Sequence, residues 1–357
     1  MSILEINQYL SNFHSEKIWE NNDDFNEIPK VNINHVSYSL FLETFLLKNK
    51  PCILTNVGSK WRSKQEWLIH SNPNFDFLKN NYGEIDVPIT NCHDKYYNSQ
   101  KKETRKLKHF IDYWTEYKNK GYPENMSCLY LKDWHFTRDF PSDDVYQIPH
   151  VFASDWLNEY YSQSCKQDDY RFVYMGPSGT WTPFHADVFT SYSWSVNICG
   201  RKKWKLFYPG QEEFLRDNLG NLVYDLDSKE LKDENKYPNY NKVAKYLEII
   251  QNPQEAIFVP SGWHHQVWNL EDTISINHNW INGFNIQQIW SSLCRTLSAV
   301  ESEIADCKEM DGWADQCQLI LNATFGLDFP KFYDFLEFIA RRRITHCIEK
   351  KTASSEW

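Results

Sequence analysis

Apolar and polar positions are grouped into short runs over the middle of the chain: Arg171–Met175, Trp181–Asp187, Tyr192–Cys199, Lys203–Tyr208, Ala256–Val259, His265–Asn269 and Thr273–Trp280. Each run is rich in aromatic and β-branched residues and is stopped by Gly, Pro, Asp or Asn, which predicts a series of short strands in a sandwich or barrel. Regular crossover helices between these runs are missing, so a parallel sheet is disfavoured. Upstream the texture is mixed. Residues up to about 50 read as short helices and loops, and the run from Pro51 to Val57 reads as a first strand. Ile85–Cys92 and Cys128–Phe136 read as further strands, and Trp67–Asn80 and Leu107–Tyr117 as helices. In the second helix Leu107, Phe110, Ile111, Trp114 and Tyr117 share one face at helical spacing. After Gly283 the period becomes helical again through Asn285–Cys307, Trp313–Phe325 and Phe332–Ile348.

These patterns divide the chain into an N-terminal α/β region (1–127), a strand-rich core (128–282) and a C-terminal helical cap (283–357). The class is mainly β with helical elaborations, an α+β arrangement. The polar stretch Asp225–Tyr240 interrupts the strands and reads as part of a surface insertion over about 225–245. Lys101, Lys102, Arg105, Lys106 and Lys108 precede the helical face of Leu107–Tyr117 and read as a solvated loop and first turn.

Composition narrows the function classes. The 357 residues carry 48 acidic and 38 basic side chains, a net charge of −10, which disfavours direct nucleic-acid binding through a basic surface. With 41% hydrophobic and 16% aromatic residues the chain can fill a large core. The first residues, MSILEINQYLSNFHSEK, lack the charged and apolar regions of a secretory signal, and no run approaches the ~20 apolar residues of a membrane span. A cytoplasmic protein with no membrane contact is the expectation. Nine cysteines, Cys165 among them, are odd in number, widely spaced and form no C-x-x-C, so reduced and mostly buried thiols are expected.

Three motifs carry candidate chemistry. The segment Gly176-Pro-Ser-Gly-Thr-Trp-Thr-Pro-Phe-His185-Ala-Asp187 sets an imidazole and a carboxylate two residues apart, on one face if the segment is a strand. Phe258-Val-Pro-Ser-Gly-Trp-His264-His265 brings adjacent histidines at the start of another strand-like run, and strand alternation allows only one of the pair to face a shared ion. Two histidines and one carboxylate on one side of a metal leave the opposite positions open, as oxygen chemistry at non-haem Fe(II) requires. Between the motifs stands Gly200-Arg-Lys202-Lys-Trp-Lys. A lysine at the turn into a buried strand is costly to desolvate unless it meets an anion; the plain alternative is an exposed hairpin end.

In this order and spacing the three motifs resemble the JmjC domain, the double-stranded β-helix (jelly roll) of iron- and 2-oxoglutarate-dependent oxygenases. The segments Asp169-Tyr-Arg-Phe-Val-Tyr-Met-Gly-Pro, Phe-His-Ala-Asp-Val-Phe and Ser-Trp-Ser-Val-Asn-Ile-Cys-Gly-Arg-Lys-Lys-Trp are similar to the branch of jumonji-domain-containing protein 4. The resemblance implies Fe(II), 2-oxoglutarate and O2 as cofactor and co-substrates. It implies His185, Asp187 and His265 as metal ligands, with His265 taken over His264 from its place five residues after Pro260. It implies Lys202 as the partner of the 2-oxoglutarate carboxylate, and Thr182 and Tyr130 as hydroxyl donors to it. Ser195 and Asn277 fall where some relatives have polar residues facing the co-substrate. The implied activity is cytosolic hydroxylation of a lysine in the eukaryotic peptide-chain release factor that reads stop codons. Two other readings stand beside it: an N-methyl-lysine demethylase of histones on the same scaffold, and a metal-free β-barrel interaction module. Oligomeric state is left open, with a homodimer through the C-terminal helices as one arrangement.

Overall fold

The computed structural model describes residues 27–97, 99–163 and 170–354; the N-terminal segment, Cys165 and Asp169 lie outside the described residues. Two compact units are distinguished. One holds residues 27–153, 170–187 and 192–279, and the other 154–163, 188–191 and 280–354.

In chain order the strands are β1 (Lys30–Asn32), β2 (Cys52–Thr55), β3 (Leu68–Ile69), β4 (Asn72–Pro73), β5 (Asp86–Tyr96), β6 (Ser99–Lys106), β7 (Leu129–Trp134) and β8 (Arg171–Gly176). They continue as β9 (Trp181–His185), β10 (Tyr192–Cys199), β11 (Lys202–Phe207), β12 (Tyr246–Gln251), β13 (Ala256–Val259), β14 (His264–Asn269) and β15 (Thr273–Trp280). Nine of them form one sheet in the order β1-β2-β13-β10-β15-β8-β7-β5-β6, and four form a second in the order β12-β11-β14-β9. Apart from the parallel pair β1–β2, the recorded pairings are antiparallel.

The sheets face each other across a shared core. Ile53, Ile257 and Val259 from the large sheet pack with Trp204, Leu206, Leu247, Ile249 and Val267 from the small one. This is the double-stranded β-helix arrangement, in which inward side chains of both sheets interdigitate and outward positions meet solvent or covering elements. The edge strand β12 shows the rule most plainly: Leu247, Ile249 and Gln251 are buried while Tyr246, Glu248 and Ile250 are exposed.

The helix Leu107–Asn119 buries the five positions expected from its spacing. Two expectations fail nearby. Trp67–Asn80 is not one helix: β3 and β4 make a small hairpin, with His70 and Ser71 at positive φ in its turn, and the helix runs only over Phe75–Tyr82. The lysine-rich segment before Leu107 is not a loop. It is the edge strand β6, whose Lys102, Arg105 and Lys106 pair with Asp133, Glu103 and Asp86.

In the second unit the helix Phe329–Ser354 is held to the helix Trp156–Gln163 by Arg343, which donates to both carboxylate oxygens of Glu159 at 2.7 and 2.8 Å, and by Tyr160 packed on Phe335 and Phe338. Helices Ile286–Glu303 and Trp313–Phe325 pack against each other. Among the described residues no helix is long and apolar enough to cross a membrane.

Candidate metal and co-substrate site

Strands β9 and β14 lie side by side in the small sheet, with His185 directly opposite His265. The register then slips: Val267 faces Thr182, so two residues of β14 are matched by three of β9. This β-bulge turns both Thr182 and His185 into the same cavity although they are an odd number of residues apart, and sends Phe184 to the opposite face. Asp187 follows just past the end of β9. His185, Asp187 and His265 each offer a ligand atom, and all three atoms lie within 4.8 Å of one another.

The histidines are oriented by backbone. Nδ1–H of His185 donates to the Pro183 carbonyl at 2.8 Å, and Nδ1–H of His265 to the Trp263 carbonyl at 3.0 Å. Each ring therefore keeps Nε2 as a lone-pair donor. Burial, with the neighbouring His265, pushes His185 down to about 4, so at neutral pH it is the uncharged form a metal requires. Asp187 is fixed in turn by Ser193, whose hydroxyl donates to Oδ2 at 2.6 Å.

His264 points the other way. Its ring packs against Phe184 at 5.5 Å, and its Nδ1 lies 3.9 Å from Glu212. Burial holds this imidazole down to about 4, so the contact with Glu212 is not an ion pair at neutral pH. Two residues on, Gln266 is fully buried and clamps the insertion, donating to Asp225 Oδ1 at 2.8 Å and accepting from the Leu226 N–H at 2.7 Å.

The same cavity is lined by Tyr130, Tyr174, Thr182, Ser195, Lys202 and Asn277. Lys202 enters it from the first position of β11, immediately after the turn that carries the chain from the large sheet to the small one. Gly200 makes that turn possible: its φ is +72°, and a Cβ there would lie 2.3 Å from the Asp272 carbonyl oxygen. The Lys202 side chain is 2% exposed, and Nζ donates across the sheets to Ser275 Oγ at 2.7 Å. Burial pushes it down to about 7. Among the described residues it has no carboxylate partner. Thr182 Oγ1 and Ser195 Oγ are buried in the same cavity with no hydrogen-bond partner among the described residues.

A buried ammonium and two orphaned hydroxyls facing three clustered ligands are what a chelating dicarboxylate would satisfy, and the residues fit both an Fe(II) ion and 2-oxoglutarate. Tyr130 reaches the cavity from β7, where Gly176 admits its ring: a Cβ at 176 would lie 2.5 Å from Tyr130 Cδ2. Sequence reasoning passed over Ser193 and Ser275. Alternation along β10 and β15 carries the signal, since Ser193 shares a face with Ser195, and Ser275 with Asn277.

Comparison with known proteins agrees with this geometry. Residues 38–286 match the family model described as a cupin-like domain. The chain is 51% identical to the 2-oxoglutarate and iron-dependent oxygenase JMJD4 of Gallus gallus, over 88% of this chain and 74% of that protein. The chain belongs to the cupin-like JmjC family. Within that family it is also similar to the Homo sapiens protein of the same name, at 50% identity over 86% of this chain and 74% of the relative. A more distant JmjC relative is named arginine-specific demethylase JMJ20, of Arabidopsis thaliana, at 40% identity over 87% of this chain and 69% of that protein.

Proposed function

We propose that the chain is an Fe(II)- and 2-oxoglutarate-dependent protein hydroxylase of the cytoplasm whose target is a lysine in a loop of the eukaryotic peptide-chain release factor. The observation that carries the oxygenase reading is the convergence of His185, Asp187 and His265 beside a buried Lys202 that, among the described residues, has no carboxylate partner. Support for the release-factor lysine comes from the motif resemblance to one branch of the family.

Bound together, iron and 2-oxoglutarate supply the oxidation of an unactivated C–H bond coupled to decarboxylation of the co-substrate to succinate. The chain's own residues do the rest. His185, Asp187 and His265 would hold the ion on one side, leaving its other positions for the co-substrate and oxygen. Lys202 would bind the distal carboxylate, with Thr182 and Tyr130 donating hydroxyl hydrogens and setting which way the oxo-acid end points. Trp204, packed 5.4 Å from the His265 ring, and Val267 keep water from that side of the cavity.

The test is incubation of the protein with iron, 2-oxoglutarate and the release factor, followed by peptide mass analysis. Gain of one oxygen on a single lysine is expected, and an unmodified release factor despite succinate formation would overturn the substrate assignment. Release of formaldehyde from methylated histone or arginine-methylated peptides would support a demethylase in its place.

A further inference from the structure

The function above leaves unused a pair of thiols behind Tyr130. Extending the β5–β7 register of Asn91 opposite Leu129 by one position places Cys92 directly opposite Cys128, and the Cys92 N–H donates to the Cys128 carbonyl at 2.8 Å. Directly opposed, hydrogen-bonded residues of an antiparallel pair have Cα atoms about 5.5 Å apart, within the span a disulfide bridges. Both side chains leave the ladder on one face, and both are 2% exposed. They pack together against Tyr130, with Tyr174 and Trp181 at the edge of the cluster. Cys92 Sγ also lies 3.6 Å from the Trp181 carbonyl, at the start of the strand that carries His185. Lys132 supplies a nearby positive charge: its side chain is 8% exposed and its amine donates to Gln100 Oε1 at 2.7 Å. Burial pushes the Cys92 thiol up, but hydrogen bonding with Cys128 and at the Trp181 backbone, with a smaller contribution from the Lys132 charge, brings it below its ordinary value.

We propose that Cys92 and Cys128 are a modification site that closes to a disulfide under hydrogen peroxide, and that closure weakens co-substrate binding by displacing Tyr130. The sulfur of Cys92 attacks a peroxide oxygen, the O–O bond breaks, and one water leaves with a sulfenic acid on Cys92. The Cys128 sulfur then displaces the sulfenic oxygen as a second water, forming the S–S bond. Two thiol hydrogens and two electrons have passed to one peroxide. Tyr130 is two residues from Cys128 on the same strand face and packs on both thiols, so drawing the two sulfurs from non-bonded contact into a bond shifts the surface on which the phenol ring rests. The effect on co-substrate rests on the role given to Tyr130 above.

The experiment treats the metal-free protein with hydrogen peroxide, removes the oxidant, and divides the sample. One half is digested without reductant and mapped by mass spectrometry. The other is titrated with 2-oxoglutarate in the presence of Mn(II), before and after dithiothreitol. A linked peptide pair containing Cys92 and Cys128, a several-fold loss of 2-oxoglutarate affinity, and recovery of both on reduction are expected. Cys128→Ser should show neither the link nor the peroxide effect. Absence of the linked pair, while the exposed Cys307 and Cys347 react, overturns the site. A linked pair with unchanged affinity overturns the coupling to Tyr130. Failure of the reduced protein to bind 2-oxoglutarate would count against the proposed function and leave the peptide map to decide the disulfide.

Discussion

Ser193 holds Asp187: its hydroxyl donates to Oδ2 at 2.6 Å and so fixes the carboxylate that clusters with His185 and His265. A group that orients a metal ligand through one hydrogen bond is typically worth about 10–100-fold in metal affinity. Ser193→Ala should therefore weaken Mn(II) or Co(II) binding by that factor in a direct titration, with the thermal midpoint of the metal-free protein nearly unchanged. Ser193→Thr, which keeps the hydroxyl, should restore much of the affinity.

The two adjacent histidines should behave differently. His265→Ala removes a ligand, so added metal should no longer raise the melting temperature; His264→Ala should leave that rise in place. A ligand present at a hundred times its dissociation constant stabilises the folded state by about 2.7 kcal/mol, a shift large enough for thermal denaturation to separate the variants.

Lys202 makes co-substrate binding depend on pH. Its folded value of about 7 lies below the ordinary 10.5, and a bound carboxylate favours the charged amine. Binding of 2-oxoglutarate above pH 7 should take up protons, and affinity should fall as pH rises further. Calorimetry in two buffers of different ionisation enthalpy measures the uptake. Lys202→Met should abolish it and cost about 10–100-fold in affinity, the worth of a charge-assisted hydrogen bond. The sign for folding is the reverse: between about 7 and 10.5 the unfolded chain binds the extra proton, so this residue's contribution to stability rises with pH across that window.

Gly200→Ala should destabilise the fold by more than about 1 kcal/mol, because alanine resists a φ of +72° and its Cβ would press on the Asp272 carbonyl. A lower urea midpoint with an unchanged slope is the expected reading. Gly179→Ala serves as a comparison, for there φ is also positive but nothing lies within 4 Å of the added carbon.

How much of this was legible in the sequence follows from what each residue answers to. β10 alternates aromatic or aliphatic with small polar residues up to Gly200, and β15 begins just after Asp272 and ends just before Asn282-Gly283, so their boundaries could be read from the chain itself. Lys202, Thr182 and Tyr130 were reached through the family resemblance, and the structure gathers them in one cavity. β6 was hidden because an edge strand exposed along most of its length has no apolar alternation to show. β12 alternates cleanly, but it sits at the end of a polar insertion that reads as loop. The stretch from Trp67 to Asn80 has helical spacing by coincidence, and two residues at positive φ break it. Ser193 and Ser275 were overlooked because a serine between aromatic and aliphatic neighbours announces no partner until the opposing strand is in place.

The extra residue in β9 has a cost for the lineage of this chain. Straightening the bulge with every residue kept would restore plain alternation between Thr182 and His185 and put the imidazole on the side Phe184 now occupies. A regularised strand could keep its hydrophobic filling and still lose its grip on the ion, so changes that disfavour the bulge in this short stretch would be selected against even where the same substitutions are forgiven elsewhere.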